Sequence, residues 1–174
     1  MIKNKPEGQE TITVKANELL EIELRDFDSG SRNYELTVIL EGENATCFIK
    51  GRAQTNQNDR KIWKVAQRFA GHNQTGSIDL RGTAENDSFL EFDGSGTLET
   101  QSSDADANIT EKIILFDNAK AKSLPVLRVE TDKVKSAGHG ASIAPVDPEK
   151  LLYLSSRGIS KTEAFEMIKQ GFLK

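Results

Sequence analysis

The residues best suited to metal chemistry are few, since the 174-residue sequence contains one cysteine and two histidines. His139 stands between Gly138 and Gly140, which predicts a permissive turn after the last strand. A neutral imidazole is a suitable ligand for iron and related metals. One histidine does not complete a metal site by itself. A single histidine in a turn is more often an ordinary surface residue, and the pattern alone leaves both interpretations open.

The remaining residues of this kind are predicted to be structural. Cys47 lies in the stretch ATCFIK, which predicts a strand, and a cysteine there is most often a small buried hydrophobic residue. A reactive or metal-binding thiol is the alternative for Cys47. A single cysteine excludes a disulfide within the chain and a metal site made only of its thiolates. His72 is predicted to lie in a loop or ladder, and Trp63, in the alternating stretch KIWKVAQRF, to pack in the core.

No motif for a common catalytic mechanism is present. The sequence lacks G-x-x-x-x-G-K-[ST], so it does not hydrolyse ATP by the P-loop route. It also lacks the G-x-S-x-G motif of a serine nucleophile. Its Asp and Glu residues are scattered, and no two of them can be assigned the defined separation that catalysis by a carboxylate pair requires. We therefore expect a protein that is not an enzyme.

Charge and hydropathy disfavour two further classes of protein. The net charge of −4 and the isoelectric point near 5.3 argue against a nucleic-acid-binding protein, which would need a basic surface. No stretch approaches the roughly 18 apolar residues that predict a membrane span. The opening MIKNKPEGQE has no apolar region of the kind found in a signal peptide. These features predict a cytoplasmic protein that binds neither nucleic acid nor membrane.

Most of the chain is predicted to form short β-strands. From Thr11 to about Val134 the apolar residues alternate with polar ones, as in Leu20, Ile22 and Leu24, and this period of two places alternate side chains on one face. Turn signals rich in Gly, Ser, Asn and Asp separate the runs. The pattern predicts an all-β domain of roughly ten strands. No strict repeat period is visible, so a sandwich, a barrel and a β-helix all stay open.

The end of the chain is predicted to be a helical hairpin. We place the boundary between a β domain at residues 1–146 and the hairpin at residues 147–174. Asp147 is a suitable N-cap residue for the first helix. Pro148 then occupies the first helical position, where its missing N–H has no consequence.

The two helices of the hairpin are predicted to be separated by a short turn. The first helix ends near Arg157, and Gly158 can take the left-handed conformation just beyond it. Ser160 and Glu163 have the spacing of a capping box for the second helix. Helices of this length are not stable alone, so the hairpin must dock on the β domain, on a partner, or on both.

The C-terminal part of the chain carries a long ordered string of residues, VLRVETDKVKSAGHGASIAPVDPEKLLYLSSRGISKTEAFEMIKQGF. This string strongly resembles the C-terminal signature of the SufB/SufD family, the scaffold subunits of the SUF iron–sulfur cluster assembly system. Its most specific elements are HGAS at 139–142 and YLSSRGIS at 153–160. A weaker likeness extends back to about Leu36, so the resemblance covers most of the chain.

The resemblance implies a fold and a set of partners. The family fold is a right-handed parallel β-helix flanked by helical segments, which selects one of the three architectures left open above. Family members dimerise through the β-helix, so we expect a homodimer or a heterodimer with a SufB/SufD homologue. Their C-terminal helices dock on SufC, an ABC-type ATPase, and the hairpin is therefore expected to bind a SufC-like ATPase.

The resemblance also assigns roles to individual residues. It implies that Tyr153, Arg157, Gly158 and Phe172 form the ATPase-docking surface. It implies that His139 lies at a subunit interface as an iron or cluster ligand, with a transient iron–sulfur cluster as the only cofactor. Without the resemblance, Arg157 would be read as a cation that interacts with the dipole at the C-terminus of a helix.

The sequence departs from the family pattern in ways that keep alternatives open. SufB-type members carry a cysteine near His139, where this chain has Ser136, Ala137 and Gly138, so the string is closer to the SufD type. The chain is also less than half the usual family length. One alternative is a minimal paralogue that acts as a structural or regulatory adaptor for the ATPase without cluster chemistry. Another is a carbohydrate-binding β-helix, which the aromatic content of 6% disfavours because few stacking platforms are available.

Overall fold

The chain folds into a parallel β-helix of about five turns, followed by two helices. This computed structural model describes residues 1–174. The elements are β1 (Ile2–Asn4), β2 (Gly8–Val14), β3 (Leu19–Asp26), β4 (Arg32–Leu40), β5 (Thr46–Thr55), β6 (Arg60–Phe69), β7 (Thr75–Ala84), β8 (Phe89–Leu98), β9 (Ala105–Leu115), β10 (Lys120–Ser123), β11 (Val126–Val129), β12 (Val134–Pro145), α1 (Pro148–Ser156) and α2 (Lys161–Phe172). The expected β-helix with a C-terminal helical hairpin is confirmed, with twelve strands in place of about ten.

Two parallel sheets form the walls of the β-helix. One sheet has the order β1-β3-β5-β7-β9-β12, and the other has the order β10-β8-β6-β4-β2, with β11 also paired to β8. Each turn contributes one strand to each sheet, so the chain advances by one strand spacing per turn. The last turn therefore consists of β10, β11 and β12, and β12 is the final strand of its sheet.

The turns follow a repeat that the sequence pattern did not reveal. From β2 onward, residues that pair in successive turns lie 26 to 31 residues apart, as with Gly8 and Tyr34 or Phe89 and Lys120. The spacing drifts because the corners between strands differ in length. A drifting period gives no strict sequence repeat, and the register becomes visible only when the strands are paired in space.

The core is a narrow layer between the two sheets. Alternate residues of each strand point inward and form a continuous cluster of buried apolar side chains. Trp63 and Phe92, from neighbouring turns, pack with their ring centroids 5.7 Å apart. Gly76 faces the ring of Phe69, and a Cβ atom on Gly76 would lie 2.5 Å from that ring. Glycine is required there because the aromatic side chain occupies the space between the sheets.

A column of asparagines stabilises one corner of the β-helix. Asn17, Asn44 and Asn73 all have positive φ angles, between 51° and 59°, and Asp104 continues the column with φ of 54°. Asn and Asp tolerate this left-handed conformation better than other residues that carry a Cβ atom. The side-chain amide of Asn44 donates to Asn17 at 3.0 Å, and that of Asn73 donates to Asn44 at 2.7 Å. These hydrogen bonds join successive turns.

The helices begin three residues after the last strand, at Pro148. Neither helix has the length and hydropathy needed to cross a membrane. α2 packs along the outside of the β-helix, whereas α1 has no buried residue. The strand β12 and the exposed side of the hairpin are therefore both open to solvent.

Candidate functional site

The last turn of the β-helix contains His139, and its environment differs from the one predicted. His139 lies in the middle of β12, paired with Ile109 of β9, and not in a turn. The stretch SAGHGAS lacks apolar alternation, because β12 is an edge strand with no side chain buried on either face. Its strand conformation is set by backbone pairing with β9 instead. The side chain of His139 is exposed and points to the inner side of the turn, as Ile109 does.

One hydrogen bond fixes the imidazole of His139. Its Nδ1 atom lies 2.9 Å from the backbone carbonyl oxygen of Pro125, in the connection between β10 and β11. A carbonyl oxygen can only accept, so Nδ1 carries the hydrogen and donates it. The other ring nitrogen, Nε2, then keeps its lone pair. Metal-binding histidines commonly donate their second nitrogen to a backbone carbonyl in this way, because it fixes the tautomer and the ring orientation.

The first helix of the hairpin starts and ends as its sequence predicts. The carboxylate of Asp147 accepts a hydrogen bond from the backbone N–H of Glu149 at 2.9 Å, and Pro148 is the first helical residue. At the other end, Gly158 has a φ angle of 81°. The N–H groups of Gly158 and Ile159 bond back to carbonyls of the last helical turn, the two bonds of a Schellman motif.

The second helix begins with a complete capping box. The hydroxyl of Ser160 accepts from the backbone N–H of Glu163, and the Glu163 carboxylate accepts from the backbone N–H of Ser160 at 3.0 Å. The hydrogen bonds from Ser160 lower the pKa of Glu163. Both helices are thus specified locally, and the turn between them is held at a defined geometry.

The second helix is anchored to the β-helix by a ring contact and an ion-pair cluster. Phe165 packs edge-on against Phe116, with ring centroids 4.7 Å apart. Lys169, which is 6% exposed, bonds to Glu85 at the corner after β7 and to Glu166 at 2.8 Å. Burial disfavours the charged form of Lys169, but the hydrogen bonds to Glu166 and Glu85 outweigh it and raise the pKa. These contacts hold α2 against the corners of the β-helix that follow β7 and β9.

A groove between the two helices remains open to solvent. Its volume is about 530 Å³, and it is lined by both helices. Tyr153 and Met167, on opposite sides of the groove, are 60% and 52% exposed. The guanidinium carbon of Arg157 lies 5.4 Å from the centre of the Tyr153 ring, a cation–π contact at the edge of the groove. The residues that line the groove are Asp147, Glu149, Lys150, Tyr153, Leu154, Met167 and Ile168.

The structure brings together three of the four residues assigned to ATPase docking. Tyr153, Arg157 and Gly158 are adjacent at the end of α1. Phe172 is half-buried at the end of α2 and does not line the groove. Its backbone carbonyl lies 3.5 Å from the guanidinium of Arg81 on β7. Phe172 is therefore placed where α2 meets its own β-helix.

The remaining candidate residues are confirmed as structural. Cys47 has no exposed surface, and burial raises the pKa of its thiol to about 11, so it is an unreactive core residue. Trp63 is also fully buried. His72 forms an isolated ladder bridge with Ser103, to which its Nδ1 atom bonds at 2.8 Å. No group of three or more His, Cys, Asp and Glu side chains in the chain is arranged to hold a metal ion.

Comparison with known families agrees with this architecture. The family described as "SUF system FeS cluster assembly, SufBD core domain" matches residues 8–172, which is nearly the whole chain. The chain belongs to this family. The match includes the β-helix from β2 onward and both helices of the hairpin.

Individual relatives give the same result over shorter segments. The chain is 40% identical over 83 residues to the iron–sulfur cluster assembly protein SufD of Bacillus subtilis, which covers 47% of this chain and 19% of that protein. It is 38% identical over 64 residues to an iron–sulfur cluster assembly SufBD family protein of Mycobacterium bovis, covering 37% and 16%. A Staphylococcus aureus protein with the same family description is 39% identical over 71 residues, covering 40% and 15%. The matched segments thus span less than a fifth of each relative.

Two features of the site were not predicted from the residues. The first is the carbonyl of Pro125 as the partner of His139, because the two residues lie in different strands of the last turn. The second is the opposite side of the helical groove, formed by Met167 and Ile168. Met167 is a large apolar residue at an exposed position of α2, which is typical of a binding surface.

Proposed function

We propose that this chain is a non-enzymatic scaffold subunit for iron–sulfur cluster assembly. It pairs through β12 with a second SufB/SufD-type chain and binds a SufC-like ABC ATPase through the groove between α1 and α2. The observation that carries this proposal is the unpaired edge of β12 in the last turn of a SufBD-type β-helix. The open helical groove supports the second contact.

The edge of β12 has the properties of a pairing surface. This strand of 12 residues bonds to β9 on one side only, because it is the last strand of its sheet. The N–H groups of a strand point alternately to its two sides, and that of Val146, just after β12, bonds to the carbonyl of Leu115 at the end of β9. By this alternation Ala141 and Ile143 direct their N–H groups away from β9. An unpaired row of this kind is a template for pairing with another strand.

Apolar side chains surround this edge. Leu124, Val126, Val129 and Ile143 are between 40% and 48% exposed, and all four belong to the last turn. Exposed apolar residues that cluster next to an open strand edge are typical of an interface. The small residues of β12 leave the backbone accessible, since no atom lies within 4 Å of where a Cβ atom of Gly140 would be. A partner strand could therefore approach closely.

The helical groove suits a protein partner. α1 buries none of its residues against the chain's own fold, and its Leu152 is 73% exposed. The arginine–tyrosine pair at the groove, Arg157 on Tyr153, consists of residue types that dominate binding energy at protein interfaces. Because α2 is anchored at Glu85 and Phe116, movement of a bound ATPase would be transmitted to the β-helix at the corners after β7 and β9.

His139 is proposed as a ligand to iron or to a cluster carried at the interface. Its Nε2 atom is free to bind because Nδ1 donates to Pro125. The iron–sulfur cluster is here the cargo of the assembly reaction and is held transiently. One imidazole supplies one ligand, so the partner chain must provide the others.

Binding to the ATPase can be tested directly by calorimetry with the SufC-like protein of the same organism. We expect Arg157→Ala to weaken binding roughly tenfold, or about 1.4 kcal/mol. Arg25→Ala is the matched control, since Arg25 is an exposed arginine on β3. Equal affinity of the Arg157→Ala variant and the wild type would show that the groove is not the docking surface.

Cluster handling needs a separate measurement. The chain purified anaerobically with its partners should contain iron and sulfide, and His139→Ala should lower both. Retention of the ATPase without any iron or sulfide in the wild-type complex would instead support the adaptor role. Unchanged iron content in the His139→Ala complex would show that this histidine is not a ligand.

A further inference from the structure

A carboxylate is buried beneath the last turn of the β-helix. Glu111, on β9, has no exposed surface and points inward between Leu80 of the turn below and Ala141 of the turn above. Its Oε1 atom accepts a hydrogen bond from the backbone N–H of Gly94 at 2.5 Å. Its Oε2 atom accepts one from the hydroxyl of Ser123. Both donors are neutral, so the carboxylate acts as a bridge between them and does not form an ion pair.

The backbone around Glu111 is arranged for this bridge. A Cβ atom on Gly94 would lie 2.6 Å from Glu111 Oε1, so glycine is needed for the carboxylate to reach the backbone. The strands that pair with β8 in the last turn are interrupted close to Gly94, because β10 ends at Ser123 and β11 begins only at Val126. Pro125, in the gap, has no N–H to contribute. Glu111 thus bonds to the last residue of β10, on one side of the interruption, and to Gly94 of the facing strand β8.

The segment that connects β10 to β11 also forms the hydrogen bond that orients His139. The connection between β10 and β11 consists of Leu124 and Pro125, and the N–H of Leu124 bonds to Phe92 at 3.0 Å. The carbonyl of Pro125 accepts the Nδ1–H of His139. Ser123, which donates to Glu111, lies two residues before this carbonyl. A short covalent path therefore links the buried carboxylate to the group that orients the imidazole.

We propose that Glu111 is a positioning residue for His139. Together with Ser123 it fixes the connection between β10 and β11, and thereby the Pro125 carbonyl that holds the His139 ring with Nε2 free. That this ring binds iron rests on the proposed function above, whereas the positioning itself does not. A leucine would fill this inward position without the desolvation penalty of a carboxylate, but it has no oxygen atoms to bridge β8 and β10.

The positioning is tested by nitrogen-15 NMR of the His139 ring in the complete chain. The wild type should show the tautomer with hydrogen on Nδ1. In Glu111→Gln, one of the two acceptors becomes a donor, and the ring signals should shift as the second tautomer becomes populated. Ser123→Ala should shift them in the same direction and provides a second variant if Glu111→Gln folds poorly. His72→Gln assigns the two histidine signals.

Glu91→Gln is the matched control. Glu91 lies on β8 and bonds to Lys122 of β10 at 3.0 Å from the outer face, so this change removes a carboxylate between the same two strands. The His139 signals should stay at their wild-type positions in this variant. Wild-type signals in folded Glu111→Gln and Ser123→Ala would overturn the positioning role. Equal shifts in Glu91→Gln would also overturn it, because any loosening of β10 would then suffice.

Ferrous iron titrated anaerobically into the complex with its partners separates this inference from the proposed function. Loss of the outer-shell partner of a metal-binding histidine typically lowers metal affinity by roughly tenfold or more. We expect a decrease of about this size in Glu111→Gln, because the variant displaces the Pro125 carbonyl that bonds to His139. No iron binding by the wild-type complex would overturn the function proposed for His139, and the tautomer would still decide the positioning role. Wild-type iron affinity in Glu111→Gln, with an unchanged tautomer, would overturn the positioning role alone.

Discussion

β9 and β12 are neighbouring strands of similar length and the same direction, yet they present opposite surfaces. In β9 alternate side chains, from Ala105 to Ile113, are buried between the sheets. In β12 no side chain is buried. The difference arises because β9 has a strand on each side and β12 has one on one side only. Stacked turns bury their inward side chains in a core, and the turn where stacking ends leaves its side chains and one strand edge exposed.

The two helices show the same contrast within the hairpin. Both are well capped, so local sequence signals specify them equally. α2 buries Ala164 and Phe165 against the β-helix, whereas α1 buries nothing. Capping determines that a helix forms, and the apolar face determines what it packs on. The exposed face of α1 therefore belongs, with β12, to the part of the chain that is left exposed to solvent.

The largest difference between the two regions should be in stability. Phe92→Ala, in the core of the fourth turn, should lower the free energy of unfolding by about 3–5 kcal/mol, because it removes a fully buried ring and leaves a cavity. Ile143→Ala on β12 should lower it by less than about 1 kcal/mol, since that side chain is 41% exposed. Urea unfolding measures both values. Similar losses would mean that the last turn is as tightly packed as the middle of the β-helix.

A smaller effect is expected where α2 meets the β-helix. Phe165→Ala removes the ring that packs on Phe116 and should weaken docking of α2 by about 2–4 kcal/mol. Hydrogen exchange should then become faster in α2 while the amides of the middle strands keep their protection. Met167→Ala, at an exposed position on the same helix, is the control. Unchanged exchange in the Phe165→Ala variant would contradict anchoring by this contact.

The asparagine column should contribute less per residue. Asn44→Ala should lower the free energy of unfolding by about 1–2 kcal/mol, because alanine is strained at a φ angle of 56° and cannot bond to Asn17. Asn44→Gly keeps the conformation and loses only the side-chain bonds, so it should be less harmful. Thermal unfolding of the two variants separates strain from hydrogen bonding. Equal losses in both would assign the whole effect to the bonds between turns.

The buried carboxylate should make stability depend on pH. Burial raises the pKa of Glu111; hydrogen bonds from Ser123 and Gly94 oppose this shift, and nearby Asp93 reinforces it. In the unfolded chain a glutamate titrates near 4.3, so the folded chain keeps its proton to higher pH. The stabilisation from this proton is full below the unfolded pKa and is lost as the pH rises through the folded pKa.

The Glu111→Gln variant has no ionisable group at this position. The unfolding free energy of the wild type, taken relative to Glu111→Gln, should therefore fall as the pH is raised from about 4 upward. Urea unfolding at several pH values measures the difference, with Glu91→Gln as the control for a more exposed carboxylate on β8, in the opposite sheet. A constant difference across this range would show that Glu111 titrates as it does in the unfolded chain.

Local features were the ones that the sequence predicted well. The capping residues Asp147, Ser160 and Glu163 behave as predicted because they act within one helical turn. The inward position of Cys47 followed from the alternation of its strand. Each of these signals depends on residues that are close along the chain.

Features that depend on stacking were predicted less well. The column of Asn17, Asn44 and Asn73 joins residues 27 to 29 positions apart, and unequal corners hide that spacing. His139 was assigned to a turn because an edge strand needs no apolar alternation. The choice of a β-helix over a sandwich or barrel came from family resemblance, since all three share the same strand pattern.

Sedimentation equilibrium tests directly whether the open edge of β12 is the proposed interface. The chain should form dimers, either alone or when mixed with a SufB-type chain of the same organism. Ala141→Pro removes an N–H group that points away from β9, so the fold should persist while the dimer weakens at least tenfold, or about 1.4 kcal/mol. Dimers of wild-type affinity formed by the folded Ala141→Pro chain, or a wild-type chain that stays monomeric in both experiments, would contradict the claim.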